Sequence, residues 1–460
     1  MEKKMRKIVA LVMAMAVILS LAACGGNSAP ETTAAPAAET EAAEPAAETE
    51  APGTEAAEAS DEPVLISILD YNTEGTLGAA MEEIQAKFTE LHPNVSFEYI
   101  AMDSNDMLTV FQNRVVAGDA PNICQAKPRT IREYIEAGYV MDLSEYDDLI
   151  GGINPDLLAE TEVDGKYYGV PFDGQVKGVF YNVRMFEEAG VSVPTTWDEF
   201  VAVCDAFMDK GTYPFMVPLN GANTVFHFFD SYATVSAHVR GEDSIFTQSE
   251  SGEIKLADSE LAKEWFKILA KLTTYKAPDD GNRTQGDAVA GFGVGERPMM
   301  ICGGWSVGDI LAAAADAGST DEFGFFPFPW SNNPEENLLW FGCDDVFIIG
   351  ADCPNPEMTR EYVKFLSSGE GQAIWTAAAK CYSAAADAAV DTSAYKHLAD
   401  IDAYVSVGKV VSKADVPDYD GEALTTLKTA IHTFISEGKT EADIDQTLSD
   451  LDEELSYIAQ

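Results

Sequence analysis

The hydrophobic pattern changes its period repeatedly between residues 64 and 138. Val64–Leu69 is an apolar run of strand length interrupted only by Ser67, and the apolar positions after it recur every three or four residues, as on one face of a helix. The same alternation then repeats twice. The predicted elements are strands at 64–69, 95–99 and 122–126 and helices at 77–91, 106–117 and 131–137. Strands that alternate with helices in this way form a buried parallel sheet.

Polar and aromatic residues follow the predicted strands of this region. Tyr71, Asn72 and Glu74 come after the first strand, and Lys127 comes after the third. Ligands of such sheets bind beyond the carboxyl ends of the strands. We therefore expect these side chains near a binding site.

The stretch 164–199 interrupts this alternation. Asp164-Gly165 is a turn dipeptide, and Pro171 ends the β-rich run after it because proline cannot donate to a strand ladder. A second β-rich run at 179–181 has Gly174 and Gly178 before it. Two interrupted strands of this kind suit a chain that crosses from one lobe to another.

Helix caps mark the elements that follow. Asn182 begins a short helix that ends near Gly190, and Thr196 with Glu199 forms a capping-box pair before the next helix. The later predicted elements are helix 262–272, strand 298–302, helix 307–315, helices that begin at 356 and 372, and two C-terminal helices around 424–434 and 444–455.

Five ordered motifs resemble a known family. They are G-K-x-Y-G-x-P at 165–171, Y-N at 181–182, F-x-x-x-G at 186–190, P-x-T-W-x-E at 194–199, and F-x-x-G-x-x-x-M at 292–299 followed by Trp305. This set resembles the extracellular solute-binding proteins of ABC importers, in the family-1, sugar-binding branch that includes maltose-binding protein.

The resemblance implies a two-lobed type II periplasmic-binding-protein fold, with an α/β sheet in each lobe. Lobe 1 is expected to be 63–171 plus 344–385, and lobe 2 to be 172–343 plus 386–460. The hinge crossovers are expected near 170–172 and 340–343. Hinge closure around a ligand, with no bond made or broken, is the implied mechanism.

The N-terminal segment is typical of an exported lipoprotein. Residues 1–23 combine a basic start with a short apolar run, and Leu21-Ala22-Ala23-Cys24 resembles a bacterial lipobox. The resemblance implies that Cys24 carries the lipid; an ordinary signal peptide with an incidental cysteine is the alternative. Residues 24–62, rich in alanine, glutamate, threonine and proline, are expected to form a disordered acidic tether.

Charge excludes several classes of partner. The chain has 29 basic and 77 acidic residues, a net charge of −48, which disfavours binding to nucleic acids or anionic membrane surfaces. The histidines lack the spacing of zinc sites, so we expect neither a metal nor a cofactor. The cysteines beyond residue 24 form no C-x-x-C pair and are interpreted as buried free thiols, although export permits disulfides: Cys124, Cys204, Cys302, Cys343, Cys353 and Cys381.

A sugar site requires an aromatic face for the apolar side of the pyranose ring and paired acceptors for its hydroxyls. Trp305 is the main aromatic candidate, and Glu74 and Asp173 are the main carboxylates. The weaker candidates are Tyr71, Asn72, Trp340, Asp344 and Tyr382. Each of these residues has an alternative explanation as a core aromatic or a solvated polar residue.

One motif supports a different class of function. Gly304-Trp305-Ser306-Val307-Gly308 matches G-x-S-x-G, the nucleophile elbow of α/β-hydrolases, between a predicted strand and a predicted helix. An elbow also needs a downstream histidine, and His397 and His432 have no pattern that marks either as a base. A membrane-anchored serine esterase is therefore kept as an alternative, as is a surface lectin that serves no transporter.

Together, the two resemblances imply a non-enzymatic receptor on the outer face of the cell membrane, anchored through Cys24. The resemblance implies that it captures a neutral sugar, for which we favour an oligosaccharide, and delivers it to the transmembrane subunits of an ABC permease. We expect a monomer.

Overall fold

Two large β-sheets, each packed with helices, organise the part of the chain that the structure describes. The computed structural model of the protein describes residues 62–71, 75–102, 106–343, 345–386, 391, 393–412 and 421–458. The strands are β1 Val64–Asp70, β2 Val95–Ala101, β3 Ile123–Ala126, β4 Glu162–Val163, β5 Lys166–Tyr167, β6 Val170–Pro171, β7 Asp173–Asn182, β8 Phe215–Met216, β9 Met299–Gly303, β10 Phe323–Phe326, β11 Leu339–Gly342, β12 Val346–Ile349, β13 Tyr382–Ser383 and β14 Val410–Val411.

The α-helices are α1 Gly75–Leu91, α2 Met107–Val116, α3 Arg132–Glu136, α4 Asp147–Ile150, α5 Pro155–Ala159, α6 Val183–Ala189, α7 Trp197–Asp209, α8 Ala222–Arg240, α9 Ile245–Glu250, α10 Glu260–Thr273, α11 Gln285–Gly293, α12 Val307–Asp316, α13 Pro356–Ser367, α14 Gly369–Ala379, α15 Lys396–Val405, α16 Gly421–Ser436 and α17 Ile444–Ile458. Within the described ranges, no helix combines the length and the apolar character needed to cross a membrane.

The first sheet has the strand order β2-β1-β3-β12-β6. Its strand β1 runs parallel to β2 and β3, whereas β12 runs antiparallel to β3 and β6. The predicted α/β alternation is confirmed for 64–138, where the observed element ends lie within two residues of the predicted ones. The antiparallel strands β12 and β6 extend this sheet, and both come from parts of the sequence outside 64–138.

The second sheet has the strand order β14-β11-β7-β9-β8, and β10 and β13 also pair with β7. The sequence predicted only a short strand at 179–181, but β7 spans Asp173–Asn182 and every residue in it is buried. A Cβ at Gly174 would lie 2.8 Å from the Phe341 ring. A Cβ at Gly178 would lie 2.8 Å from the carbonyl oxygen of Phe326. The glycines therefore let neighbouring groups approach the strand and do not end it, so the predicted boundary was wrong.

The chain passes between the two sheets at adjacent points. It leaves the first sheet after β6 and enters the second with β7, and it returns between β11 and β12. After α13 and α14 it joins the second sheet again through β13, which pairs with β7 at Gly174 and Asp173. Short passes that lie side by side are typical of a hinge. The residue limits of the two lobes stay a prediction.

Local capping explains the two helices that follow β7. Asn182 accepts a hydrogen bond from the Met185 N–H at 3.0 Å, and Gly190 ends α6 with φ of 71°. Thr196 accepts a hydrogen bond from the Glu199 N–H, as its capping-box position predicts. The Glu199 carboxylate, however, accepts from the N–H and O–H of Thr195, one residue earlier than a capping box requires.

Candidate functional site

A pocket of about 490 Å³ lies between elements of the two sheets. Tyr71 and Leu77 border it from the end of β1 and the first turn of α1. The opposite side is formed by the first two turns of α11 and α12 and by the turn after β9, through Gln285, Gly286, Val289, Ala290, Trp305, Ser306, Asp309 and Ala313. The pocket thus lies where strands end and helices begin, the usual location of ligand sites in α/β sheets.

Trp305 is partly buried and lies in the turn between β9 and α12. Its ring covers Gly303, because a Cβ at that position would lie 2.1–2.4 Å from three ring atoms. The ring of His227, from α8, packs edge-on against it with 4.9 Å between the ring centroids at 62°. The indole is therefore held in place by the backbone of Gly303 on one side and by the imidazole of His227 on another. Fixed aromatic faces of this kind lose little freedom when a ligand stacks on them.

Polar groups gather at the facing end of the first sheet. The Tyr71 N–H donates to Gln125 Oε1 at 3.3 Å, and Lys127 Nζ lies 5.5 Å from the centre of the Tyr71 ring. Lys127 also forms an ion pair with Asp345, with 2.8 Å between Nζ and Oδ1. Both of its charged groups are only partly exposed. A paired ammonium and carboxylate beside an aromatic ring can donate to and accept from neighbouring hydroxyl groups.

Comparison with known proteins identifies the family. The family model described as bacterial extracellular solute-binding protein matches residues 83–445, which is more than three quarters of the chain. The chain belongs to this family. A multiple sugar-binding protein of Streptococcus mutans is 24% identical over 331 residues, covering 68% of this chain and 74% of that protein. An ABC transporter extracellular-binding protein of Pyrococcus horikoshii is 24% identical over 384 residues, covering 81% of each chain.

Solved structures show the same fold for this solute-binding protein. The structure of RafE, a protein of Streptococcus pneumoniae, in complex with raffinose superimposes with a TM-score of 0.73 at 21% identity. The match covers 86% of this chain and all of that one. The predicted two-lobed fold of the periplasmic-binding-protein type is thereby confirmed. Members of the family are solute-binding proteins and not enzymes.

The structure places Asp173 away from the pocket lining. Its carboxylate is 98% buried at the first residue of β7, where the chain crosses between the sheets. Its Oδ2 accepts hydrogen bonds from Gln175 Nε2 at 2.8 Å and from Trp375 Nε1 at 3.0 Å. These contacts tie the crossover strand of the solute-binding protein to α14. A role for Asp173 in holding the solute stays a prediction.

Trp340 and Tyr382 also lie in the interior. Trp340 is 1% exposed on β11, with Lys177 Nζ 4.2 Å from the centre of its ring. Tyr382 is 8% exposed on β13, and its hydroxyl donates to Asp402 at 3.3 Å. Neither residue borders the pocket, and their predicted contacts with the solute remain untested.

Four further predicted residues lie outside the described residues: Asn72, Glu74, Asp344 and the lipid-bearing Cys24. Two of them, Asn72 and Glu74, fall in the short interval between Tyr71 and Gly75. Asp344 falls between β11 and β12, next to Asp345. Their predicted roles therefore remain predictions.

The G-x-S-x-G segment of the solute-binding protein has the strand–turn–helix context of a nucleophile elbow but not its chemistry. Ser306 has φ of −82° and ψ of −11°, an ordinary helical conformation in place of the strained elbow geometry. Its Oγ accepts a hydrogen bond from Gln285 Nε2 at 3.3 Å. Of the two histidines considered as bases, His397 bonds to the Lys380 carbonyl and His432 to the Leu219 carbonyl. Burial also lowers the pKa of His397 to about 4.

The cysteines of the globular part are free thiols in this structure, and five of them are buried: Cys124, Cys204, Cys302, Cys343 and Cys353. Cys381 is partly exposed. Burial raises the pKa of the Cys124 thiol well above its ordinary value, which makes the thiolate scarce at neutral pH. Over the described part of the chain, no cluster of three or more histidine, cysteine or acidic side chains is placed to hold a metal ion.

Proposed function

We propose that this protein captures a neutral sugar outside the cell and delivers it to the permease of an ABC importer. The observation that carries the proposal is the partly buried Trp305 ring in the lining of a pocket between two α/β lobes. The apolar C–H face of a pyranose stacks on such a ring, and hydroxyls at its edge require the polar groups found nearby. The names of its relatives in the family, which include sugar-binding proteins, support the same solute class.

The proposed mechanism is closure of the two lobes around the solute. Trp305 would provide the stacking face from the second lobe, while Tyr71 borders the same pocket from the first, with the paired Lys127 ammonium 5.5 Å from the centre of its ring. Binding energy is then gained from both lobes only when they close, which couples solute capture to a shape that a permease can recognise. We favour an oligosaccharide as the solute and a monomeric protein as the receptor.

Charge narrows the solute class further. The chain carries a net charge of −48, so its overall potential repels anions. Sugars with carboxylate, sulfate or phosphate groups are disfavoured for this reason, whereas neutral sugars are not affected.

A thermal-shift screen of the full-length protein tests this function. We expect at least one neutral di- or trisaccharide to raise the melting temperature, because a ligand present at 100 times its Kd adds about 2.7 kcal/mol to the free energy of unfolding. The corresponding sugar acids serve as the charged control and should give no shift. The proposal would be contradicted if only the sugar acids raised the melting temperature. It would also be contradicted if no neutral sugar of a broad panel did so.

The lipid anchor is a second part of the proposal, supported by Leu21-Ala22-Ala23-Cys24. Cys24→Ser removes the thiol that would receive the lipid, so the protein should shift from the detergent phase to the aqueous phase in Triton X-114 partitioning, or fail to mature. Two acyl chains anchor a protein stably, so the wild type should stay with the detergent. Cys381→Ser, a cysteine of the globular part, is the control and should partition as the wild type does. Equal partitioning of the Cys24 variant and the wild type would rule out the anchor.

A further inference from the structure

The first turns of two helices from different lobes are in direct contact beside the pocket. The backbone N–H of Thr76, in α1, donates a hydrogen bond to Asp309 Oδ1, in α12, at 2.9 Å. Gly75, with φ of +65°, lies against the same carboxylate, since a Cβ there would be 2.8 Å from Oδ1. The helix α1 follows β1 and packs against β2 of the first sheet, whereas α12 follows β9 of the second.

A second close approach lies one residue earlier in α12. A Cβ at Gly308 would lie 2.4 Å from the carbonyl oxygen of Ala378, at the end of α14, and 2.6 Å from Thr76 Oγ1. The helix α14 packs closely against α1, so both groups belong to the first lobe. Glycine at 308 is therefore what permits the second lobe to touch the first at this point.

The chemistry of the contact favours the closed arrangement. The first N–H groups of a helix have no partner within the helix, and its N-terminus carries partial positive charge. Asp309 lies in the first turn of its own helix and also accepts from the first turn of α1. One carboxylate thus stabilises two helix N-termini only when the lobes are together. When they separate, the Thr76 N–H must be satisfied by water instead.

We propose that Gly308, Asp309 and the first turn of α1 form an interlobe latch that stabilises the closed state of the protein. This proposal rests on the proposed function, because the latch acts by favouring the closure that captures the solute. It consists of protein groups alone, so its free energy is added to closure whichever solute is bound. Apparent affinity falls as the competent closed state becomes less populated. Residues of the latch therefore set the strength of binding for every solute by a common factor.

Gly308→Ala is the sharpest test, because the added methyl group meets a backbone oxygen that cannot move without shifting α14. We expect the Kd of every sugar that binds the wild type to rise by the same factor of about ten or more, equivalent to about 1.4 kcal/mol. In small-angle X-ray scattering at a sugar concentration near the wild-type Kd, the variant should keep a larger radius of gyration than the wild type, because a smaller fraction of it is closed. Trp305 variants should differ from Gly308→Ala, because the affinity that they lose should vary from one sugar to another.

Gly281→Ala is the matched control, because a Cβ at that position meets nothing within 4 Å. It should bind and scatter as the wild type does. Asp309→Asn keeps the acceptor but removes the charge. Because Asp309 also lines the pocket, the readout of this variant is the radius of gyration of the unliganded protein, which should rise by less than in Gly308→Ala and keeps the test valid if that variant does not fold.

The outcomes separate the latch from the proposed function. A Gly308→Ala protein that binds and closes as the wild type does would overturn the latch, and so would losses that differ between sugars. If the wild type binds no sugar in the panel, the proposed function fails. The latch is then judged from the unliganded proteins, in which Gly308→Ala should have the larger radius of gyration.

Discussion

Replacing Trp305 with alanine should weaken sugar binding by about 2–4 kcal/mol, the range found for a central aromatic anchor in a binding site. The ring is partly buried, lies over Gly303 and is held by His227 at a centroid distance of 4.9 Å. Its position is thus fixed before the sugar arrives, and the alanine variant loses both the contact and this preorganisation. Folding should persist, because a residue at the edge of a pocket contributes less to the core than a buried one does.

Calorimetry with the best sugar from the screen measures the loss. Trp305→Phe should recover part of the affinity, since a smaller ring still offers an apolar face. Trp197→Ala is the matched control, a partly buried tryptophan that packs on Phe200 and Phe328 away from the pocket. It should leave the affinity unchanged. A Trp305→Ala protein that binds as tightly as the wild type, or that does not fold, would show that this ring belongs to the core.

The first lobe could be predicted from the sequence because its signals are local. Between Val64 and Gly138, each strand is a short run rich in apolar residues and the helices have their own apolar faces, so no distant contact is needed to recognise them. The strand β7 could not be delimited in this way. Its glycines at 174 and 178 indicate breaks when only neighbours in sequence are considered. They are explained by Phe341 and Phe326, which arrive from more than 140 residues away.

In the candidate site, too, some residues could be predicted from local sequence and others could not. Trp305 and Tyr71 were predicted from their places after a strand, and the structure brings both to one pocket. His227 was missed because it lies within a long helix, and only the packing of α8 brings it to the indole ring. Asp345 was missed because its partner Lys127 is distant in sequence. Neither residue has a local sequence pattern that distinguishes it from a surface histidine or a surface carboxylate.

The polar residues of β7 show a different limit of sequence reasoning. Asp173, Gln175 and Lys177 recur at every second position, which usually indicates a strand face open to solvent or to a cleft. In the structure all three are at most 4% exposed. Alternation identifies which residues share a face of a strand, but it does not tell what covers that face. Here α8 supplies the partner of Lys177 through Asp230, and α14 supplies a partner of Asp173 through Trp375.

Lys177 and Asp230 form the most buried ion pair of this face. Lys177 Nζ contacts Asp230 Oδ2, and each side chain is 4% exposed. Thr234 donates a hydrogen bond to the other carboxylate oxygen at 3.0 Å, and the ring of Trp340 lies beside the ammonium group. Each charge is stabilised mainly by its partner, because water has almost no access to either. Removing one partner therefore leaves an uncompensated charge in a medium of low polarity.

Asp230→Ala should accordingly lower the free energy of unfolding by about 3–5 kcal/mol, measured by urea denaturation. The matched control is Asp148→Ala, which removes a carboxylate from the exposed Lys364–Asp148 pair, 3.2 Å apart, and should cost about 0–1 kcal/mol. The double variant Lys177→Met with Asp230→Leu removes both charges together and should regain most of the stability, because apolar side chains of similar size can replace a buried pair. A loss in Asp230→Ala no larger than that in Asp148→Ala would show that Lys177 finds another partner or reaches solvent.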